Sequence, residues 1–209
     1  MGKYLWINPV AAKMYGEHLP KVEEQLQNLG YILVDCEPQL DYVRDQYAAY
    51  VNKSERTVLD CRCPESITLL EQHDLTKHFD VPDIEPILVR TSRVLHDRYV
   101  KDEEDELIIT CPCTQLRDFT AERLADKKNV TCYSWKEFVE SEGMKSLGAI
   151  ESSPIPLGFF DSTFEQVLRL SSEEEIVREI KRVSEAGEKQ YDIVEMLYCK
   201  DGCNNGNGI

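Results

Sequence analysis

The sequence has no apolar run near the roughly 20 residues that a membrane-spanning helix needs. It opens MGKYLWINPVAAK, a stretch too short and too polar for a secretory signal. The expectation is a cytoplasmic protein without a membrane partner. Positive charge is in deficit: 24 Lys and Arg stand against 39 Asp and Glu, for a net charge of −15. Such a surface repels phosphate backbones, which argues against nucleic acid as a partner. It keeps the chain soluble, and it would also suit docking to a basic redox partner. No Walker loop and no G-x-S-x-G elbow is present, and the tail glycines Gly202, Gly206 and Gly208 have no helix after them to make a dinucleotide fingerprint. Histidine is scarce: His18, His73, His78 and His96 are the four in 209 residues, and none lies beside a cysteine pair.

Cysteine, by contrast, is plentiful. Eight stand in the chain: Cys36, Cys61, Cys63, Cys111, Cys113, Cys132, Cys199 and Cys203. In a reducing compartment that number points to metal, cluster or redox chemistry rather than to disulfides. The apolar fraction, 42%, is ample for a core.

Apolar patterning alternates strand with helix. Strands are expected at KYLWIN (3–8), YILVD (31–35), TVLD (57–60), EPILV (85–89), LIIT (107–110), NVTCY (129–133) and YDIVEML (191–197). Helices are expected over 10–28, closed by Gly30, over 39–51, after Pro64, near 91–100, over 114–125 and from Ser134 to about 142. In that last helix, Ser134 with Glu137 reads as a capping box. FEQVLRL is expected to be helical, as is EEEIVREIKRVSEA, capped by Ser171 or Ser172 and ended at Gly187. The class is therefore α/β, with mostly parallel sheets flanked by helices. The stretch 143–158 is rich in Gly, Pro and Ser. It suggests an N-terminal lobe, 1–142, with the first two cysteine segments and a C-terminal segment, 143–209, with the third, packed as one functional unit.

Most cysteines follow the C-terminal ends of expected strands. Parallel strands share that edge, and ligands bind there in open α/β sheets. Single cysteines often behave as small apolar side chains, so Cys36 and Cys132 are read as core. The pairs Cys61/Cys63, Cys111/Cys113 and Cys199/Cys203 are read as ligands. Thiolate-rich sites select zinc, Cu(I) or iron–sulfur clusters, and four thiolates from three segments suit a [4Fe–4S] cluster better than one zinc. A thiol-only protein, with Cys61 and Cys111 free for disulfides or zinc, remains an alternative.

VLDCRCPESITLLEQ, IITCPCTQLRDF and YDIVEMLYCKDGCNNGNG, in that order, resemble the three signature segments of the iron-only ([FeFe]) hydrogenase large-subunit catalytic domain: T-S-C-C-P, M-P-C-x-x-K and E-x-M-x-C-x-x-G-C-x-x-G. The resemblance covers about residues 57–209; residues 1–56 match no segment of that family. It implies that Cys63, Cys113, Cys199 and Cys203 hold a [4Fe–4S] cluster in a cleft between two lobes, with Glu195 in its expected place and Cys61, Cys111 and Arg62 as further candidates. It also implies an anaerobic setting and a redox partner protein or ferredoxin. The departures concern the two-iron subcluster. The family's proton-transfer cysteine is Arg62 here, its lysine is Leu116, and its two methionines are Cys111 and Leu197. Leucine has no hydrogen to donate, and arginine does not deprotonate, so Arg62 is a poor proton relay. It could instead offset the negative charge of a cluster, or form a surface salt bridge. The expected function is electron transfer or redox sensing through one cluster without the two-iron unit. An active hydrogenase, which would be a hydrogenase-type oxidoreductase, and a cluster assembly factor are the alternatives, and no catalytic residue is assigned.

Overall fold

The computed structural model describes residues 2–148 and 150–209. The chain folds as two compact units. The first comprises 1–38, 88–154 and 203–209, and the second 39–87 and 155–202. The chain thus crosses between them four times, after Pro38, Ile87, Pro154 and Gly202. The loop 143–158 holds one of these crossings, but the division does not follow a single boundary at 142/143. Each unit closes its own parallel sheet with strands distant in sequence, so the first two cysteine segments fall in different units.

In the first unit, strands β1 (Lys3–Trp6), β2 (Ile32–Leu33), β4 (Glu106–Cys111) and β5 (Val130–Ser134) form a sheet of order β2-β1-β4-β5. Every pairing is parallel. Successive side chains of a strand point to opposite faces, and both faces here are covered. Leu5 and Ile108 pack with α1 (Pro9–Tyr15), α2 (Leu19–Asn28) and α7 (Trp135–Ser141). Leu107, Ile109 and Cys111 pack on the other face, with α5 (Ile87–Tyr99) and α6 (Thr114–Arg123). This double cover explains why LIIT reads as an unbroken apolar run.

In the second unit, β3 (Val58–Leu59), β6 (Val167–Ser171) and β7 (Ile193–Leu197) form a parallel sheet of order β3-β7-β6. Leu59, Val194 and Met196 face α4 (Pro64–Gln72) and α8 (Glu173–Glu185). Val58 and Ile193 face α3 (Leu40–Val51) and the aromatic pair Phe159 and Phe160.

Three local expectations are corrected. FEQVLRL contributes an edge strand, β6, in place of a helix, because pairing with β7 along its length outweighs a spacing that suits either element. EPILV opens α5 instead of forming a strand. A short apolar run does not by itself distinguish the two, and burial at Leu88, Val89, Ser92 and Leu95 has helical spacing. The stretch 10–28 is two helices. Gly16, at φ 49°, ends α1, and Pro20 sits in the first turn of α2.

The capping box at Ser134 is present in full. The Ser134 hydroxyl accepts the Glu137 N–H at 3.2 Å, and the Glu137 carboxylate accepts the Ser134 N–H at 2.9 Å. Ser134→Ala should lower stability by about 1 kcal/mol, the usual worth of such a cap. Urea denaturation measures it, and an unchanged midpoint would show that this cap contributes nothing. Ser172 stands at the start of α8 but makes no side-chain cap bond. Glu175 instead reaches back to accept the Ser171 N–H at 2.8 Å.

Candidate metal centre

Each C-x-C segment runs from a strand end into a helix. Cys63 is the N-cap residue of α4, with Pro64 in the first turn. Cys113 is the N-cap residue of α6, and its Sγ accepts the Leu116 N–H at 3.3 Å. Both C-x-C segments therefore end on a sulfur at the N-terminus of a helix.

The four thiols named above divide two and two. Cys63 and Cys199 belong to the second unit, Cys113 and Cys203 to the first. Cys199 follows β7, the strand beside β3, which leads to Cys63. Burial, then the neighbouring Cys63 and Glu65, push the Cys199 thiol up to about 11. A bound metal would reverse that tendency by stabilising the thiolate.

In the first unit the tail carrying Cys203 is laid against the Cys113 segment by backbone contact. A Cβ on Gly206 would lie 2.4 Å from the Pro112 carbonyl oxygen, and one on Gly208 would lie 3.0 Å from the Cys113 Cα. The Gly208 N–H donates to the Pro112 carbonyl at 3.2 Å, and the Lys136 N–H donates to the Gly208 carbonyl at 2.9 Å. The Asn207 carboxamide oxygen accepts the Thr114 N–H at 2.9 Å, and Ile209 is buried in the core. Only glycine permits this approach at 206.

The other thiols lie elsewhere. Cys111 is fully buried in the α5/α6 cluster, because strand alternation puts it on the face of Leu107 and Ile109. Burial pushes its thiol well up, and it behaves as a small apolar residue. Cys36 and Cys132 pack against the same cluster. Burial raises Cys132 to about 12. Cys61 is partly buried, and its N–H donates to the Tyr47 hydroxyl at 2.7 Å. Among the described residues, no three Cys, His, Asp or Glu side chains stand grouped as a metal-ion site.

Arg62 is not on the surface. Its side chain is 7% exposed and lies between Asp60 and Glu195, whose side chains are both 0% exposed. The guanidinium donates to Asp60 through Nε at 3.0 and 3.1 Å and through Nη2 at 2.7 Å, and Nη2 donates to Glu195 Oε1 at 2.8 Å. Phe159 and Phe160 cover it, with ring centres 4.0 and 4.7 Å from Cζ. Glu195 also accepts the Gly158 N–H at 2.8 Å and the Phe159 N–H at 3.1 Å. Burial works against the guanidinium charge, but Asp60 and then Glu195 more than offset it and hold Arg62 protonated. Asp60 shares a sheet face with Val58, and Glu195 shares it with Ile193, so alternation along β3 and β7 brings both carboxylates under the aromatic pair. The sequence reading did not anticipate Asp60, Phe159 or Phe160. The one local signal was an acid two residues before an arginine.

The cysteine donor set has the chemistry a thiolate-bound cluster uses, while no three of these side chains stand grouped among the described residues. Two sulfurs sit at helix N-termini, and the remaining two follow one strand into a tail that closes on the Cys113 segment. The Leu116 side chain is 8% exposed and packed in the apolar α5/α6 cluster. Arg62 is turned inward and paired with both Asp60 and Glu195.

No helix among the described residues is long and apolar enough to cross a membrane. No family model matches the sequence, and no curated protein matches it. Solved structures do. The apo [FeFe]-hydrogenase HydA1 from Chlamydomonas reinhardtii, in a single-residue variant, matches with a TM-score of 0.66 at 12% identity, over 98% of this chain and 79% of that one. A HydA structure described as revealing stepwise assembly of the [FeFe]-hydrogenase H-cluster matches with a TM-score of 0.63 at 13% identity, with the same coverage. A third, concerned with oxygen inactivation through the two-iron subcluster, matches at 0.63 and 12%. The chain is a divergent domain with the [FeFe]-hydrogenase fold.

Proposed function

We propose that this chain binds one [4Fe–4S] cluster through Cys63, Cys113, Cys199 and Cys203 and uses it for electron transfer or redox sensing, without a two-iron subcluster. The observation that carries this reading is the contrast between the four cysteines, which match the resembling motifs, and Leu116 and Arg62, which depart from them. Cys63 and Cys113 stand at helix N-termini, and Cys199 follows a strand end. The positions that would serve a two-iron unit are occupied by a core leucine and a locked arginine.

A bound cluster of this type supplies one-electron exchange at a potential set by charge, hydrogen bonds to sulfur and exposure. The chain's own residues do the rest. The Leu116 N–H donates to the Cys113 sulfur, which stabilises its charge. Arg62 cannot relay a proton, since both carboxylates favour its charged form. Hydrogen turnover needs an acid or base within reach of the open metal site, and no such role is left to Arg62. Electrons would pass to or from a ferredoxin or another redox protein. In this reading the protein works in the cytoplasm, where its thiols stay reduced.

Anaerobically purified protein is expected to be brown, with about four irons and four sulfides per chain, as [4Fe–4S] stoichiometry requires. Reduction should give an electron paramagnetic resonance signal, with no infrared bands from CO or cyanide. Such bands together with hydrogen evolution would replace this reading with an active hydrogenase. Transfer of the cluster to an apo-protein would favour an assembly role. Colourless protein holding zinc would end the cluster reading.

A further inference from the structure

The geometry points to the Asp60–Arg62–Glu195 group as a positioning device for Cys63 and Cys199 and as a fixed negative charge that lowers the potential of the cluster they hold. The inference rests on the cluster reading above and adds to it a role for three residues that take no part in binding iron.

Three features carry it. First, Arg62 is the residue before Cys63, and it is held at both backbone and side chain. Its N–H donates to Asp60 Oδ1 at 3.0 Å while the guanidinium clamps the same carboxylate. The path of the chain into Cys63 is thereby set by a fork with little freedom. Second, the same guanidinium reaches Glu195 on β7, four residues before Cys199. The Asp60 N–H donates to the Val194 carbonyl at 2.9 Å, which continues the β3–β7 ladder past the end of β3. The two segments that bear the thiols of this unit are therefore tied by backbone and by ion pair at one level. Third, the charges do not cancel. Two buried carboxylates against one guanidinium leave one carboxylate in excess beneath Phe159 and Phe160, and the Arg44 guanidinium, also on the Phe159 ring at 4.6 Å, is itself paired with Asp41 at 2.6 Å. Arg62 is thus not available to offset the charge of a cluster. The group as a whole is anionic, and negative charge opposes the addition of an electron.

The geometric and the electrostatic roles separate by variant. Arg62→Lys keeps the charge but loses the fork. Glu195→Gln removes one negative charge at nearly constant shape. Titrations followed by electron paramagnetic resonance on anaerobically purified protein should find Glu195→Gln shifted to higher potential. Arg62→Lys should stay near the wild-type potential but lose iron severalfold faster to a chelator. Wild-type potentials and wild-type iron loss in both variants would overturn the inference. A second readout needs no cluster. With diamide as the oxidant, a disulfide between Cys63 and Cys199 in the apo-protein should form severalfold faster in wild type than in Arg62→Lys, as read by peptide mass spectrometry. If wild type proves to hold no cluster, the cluster reading fails, and this rate still judges the positioning role: equal rates would refute it. Circular dichroism establishes that each variant is folded. Should Glu195→Gln fail to fold, Asp60→Asn supplies the charge arm.

Discussion

Arg62→Met should cost about 3–5 kcal/mol of folding stability, the range for breaking a buried ion pair from one side. The reason is less the lost attraction than what remains. Asp60 and Glu195 are wholly buried, and without the guanidinium two carboxylates face each other in an apolar setting. The cation–π contacts with Phe159 and Phe160 are lost as well. Urea denaturation of the apo-protein measures the effect. A loss below about 1 kcal/mol, the scale of a surface pair, would mean that water reaches this group. The triple variant Asp60→Leu, Arg62→Met, Glu195→Leu should regain only part of the loss. Apolar replacement of buried pairs is often neutral, but here the Gly158 and Phe159 N–H groups also depend on Glu195. They would be left without an acceptor, at about 1–3 kcal/mol each.

Gly206→Ala should release the C-terminal tail. The added Cβ would stand 2.4 Å from the Pro112 carbonyl oxygen. That is a backbone atom at the turn between Cys111 and Cys113 and cannot swing aside as a side-chain tip can. Forcing a methyl into such a contact costs about 1–3 kcal/mol, and lifting the tail is the easier relief. The Lys136 amide, which bonds the Gly208 carbonyl, should then exchange its hydrogen at least tenfold faster. The iron content of anaerobically purified protein should fall, because Cys203 travels with the tail. Unchanged exchange at Lys136 would show that the 112–113 backbone yields instead. Iron retained despite fast exchange would argue against Cys203 as a ligand.

Much of the fold was legible in the chain because its signals are local. The burial of LIIT on both faces, the Ser134–Glu137 box, Pro64 after Cys63 and the stop at Gly187 each involve partners within a few residues. What was misread depended on neighbours far away. Phe164, Val167, Leu168 and Leu170 have a spacing that suits a helix, and only the presence of β7 beside them makes Val167–Ser171 a strand. The run at 85–89 was too short for its period to decide between strand and helix. The break at Gly16 was missed because apolar side chains continue on both sides of it.

The sequence by itself determined the α/β alternation, the excess of acidic residues, the order of the three cysteine segments, and that position 116 offers no side-chain donor and position 62 no group that deprotonates. These follow from residue type and short-range spacing, which need no knowledge of distant contacts. Only the tertiary structure decided that the thiols fall two and two into separate units, that Cys111 is core, and that Arg62 is a buried, doubly paired cation and not a surface charge. Those outcomes depend on strand order. The partner of Arg62 lies 133 residues away on β7, and parallel pairing of remote segments leaves no mark in local composition.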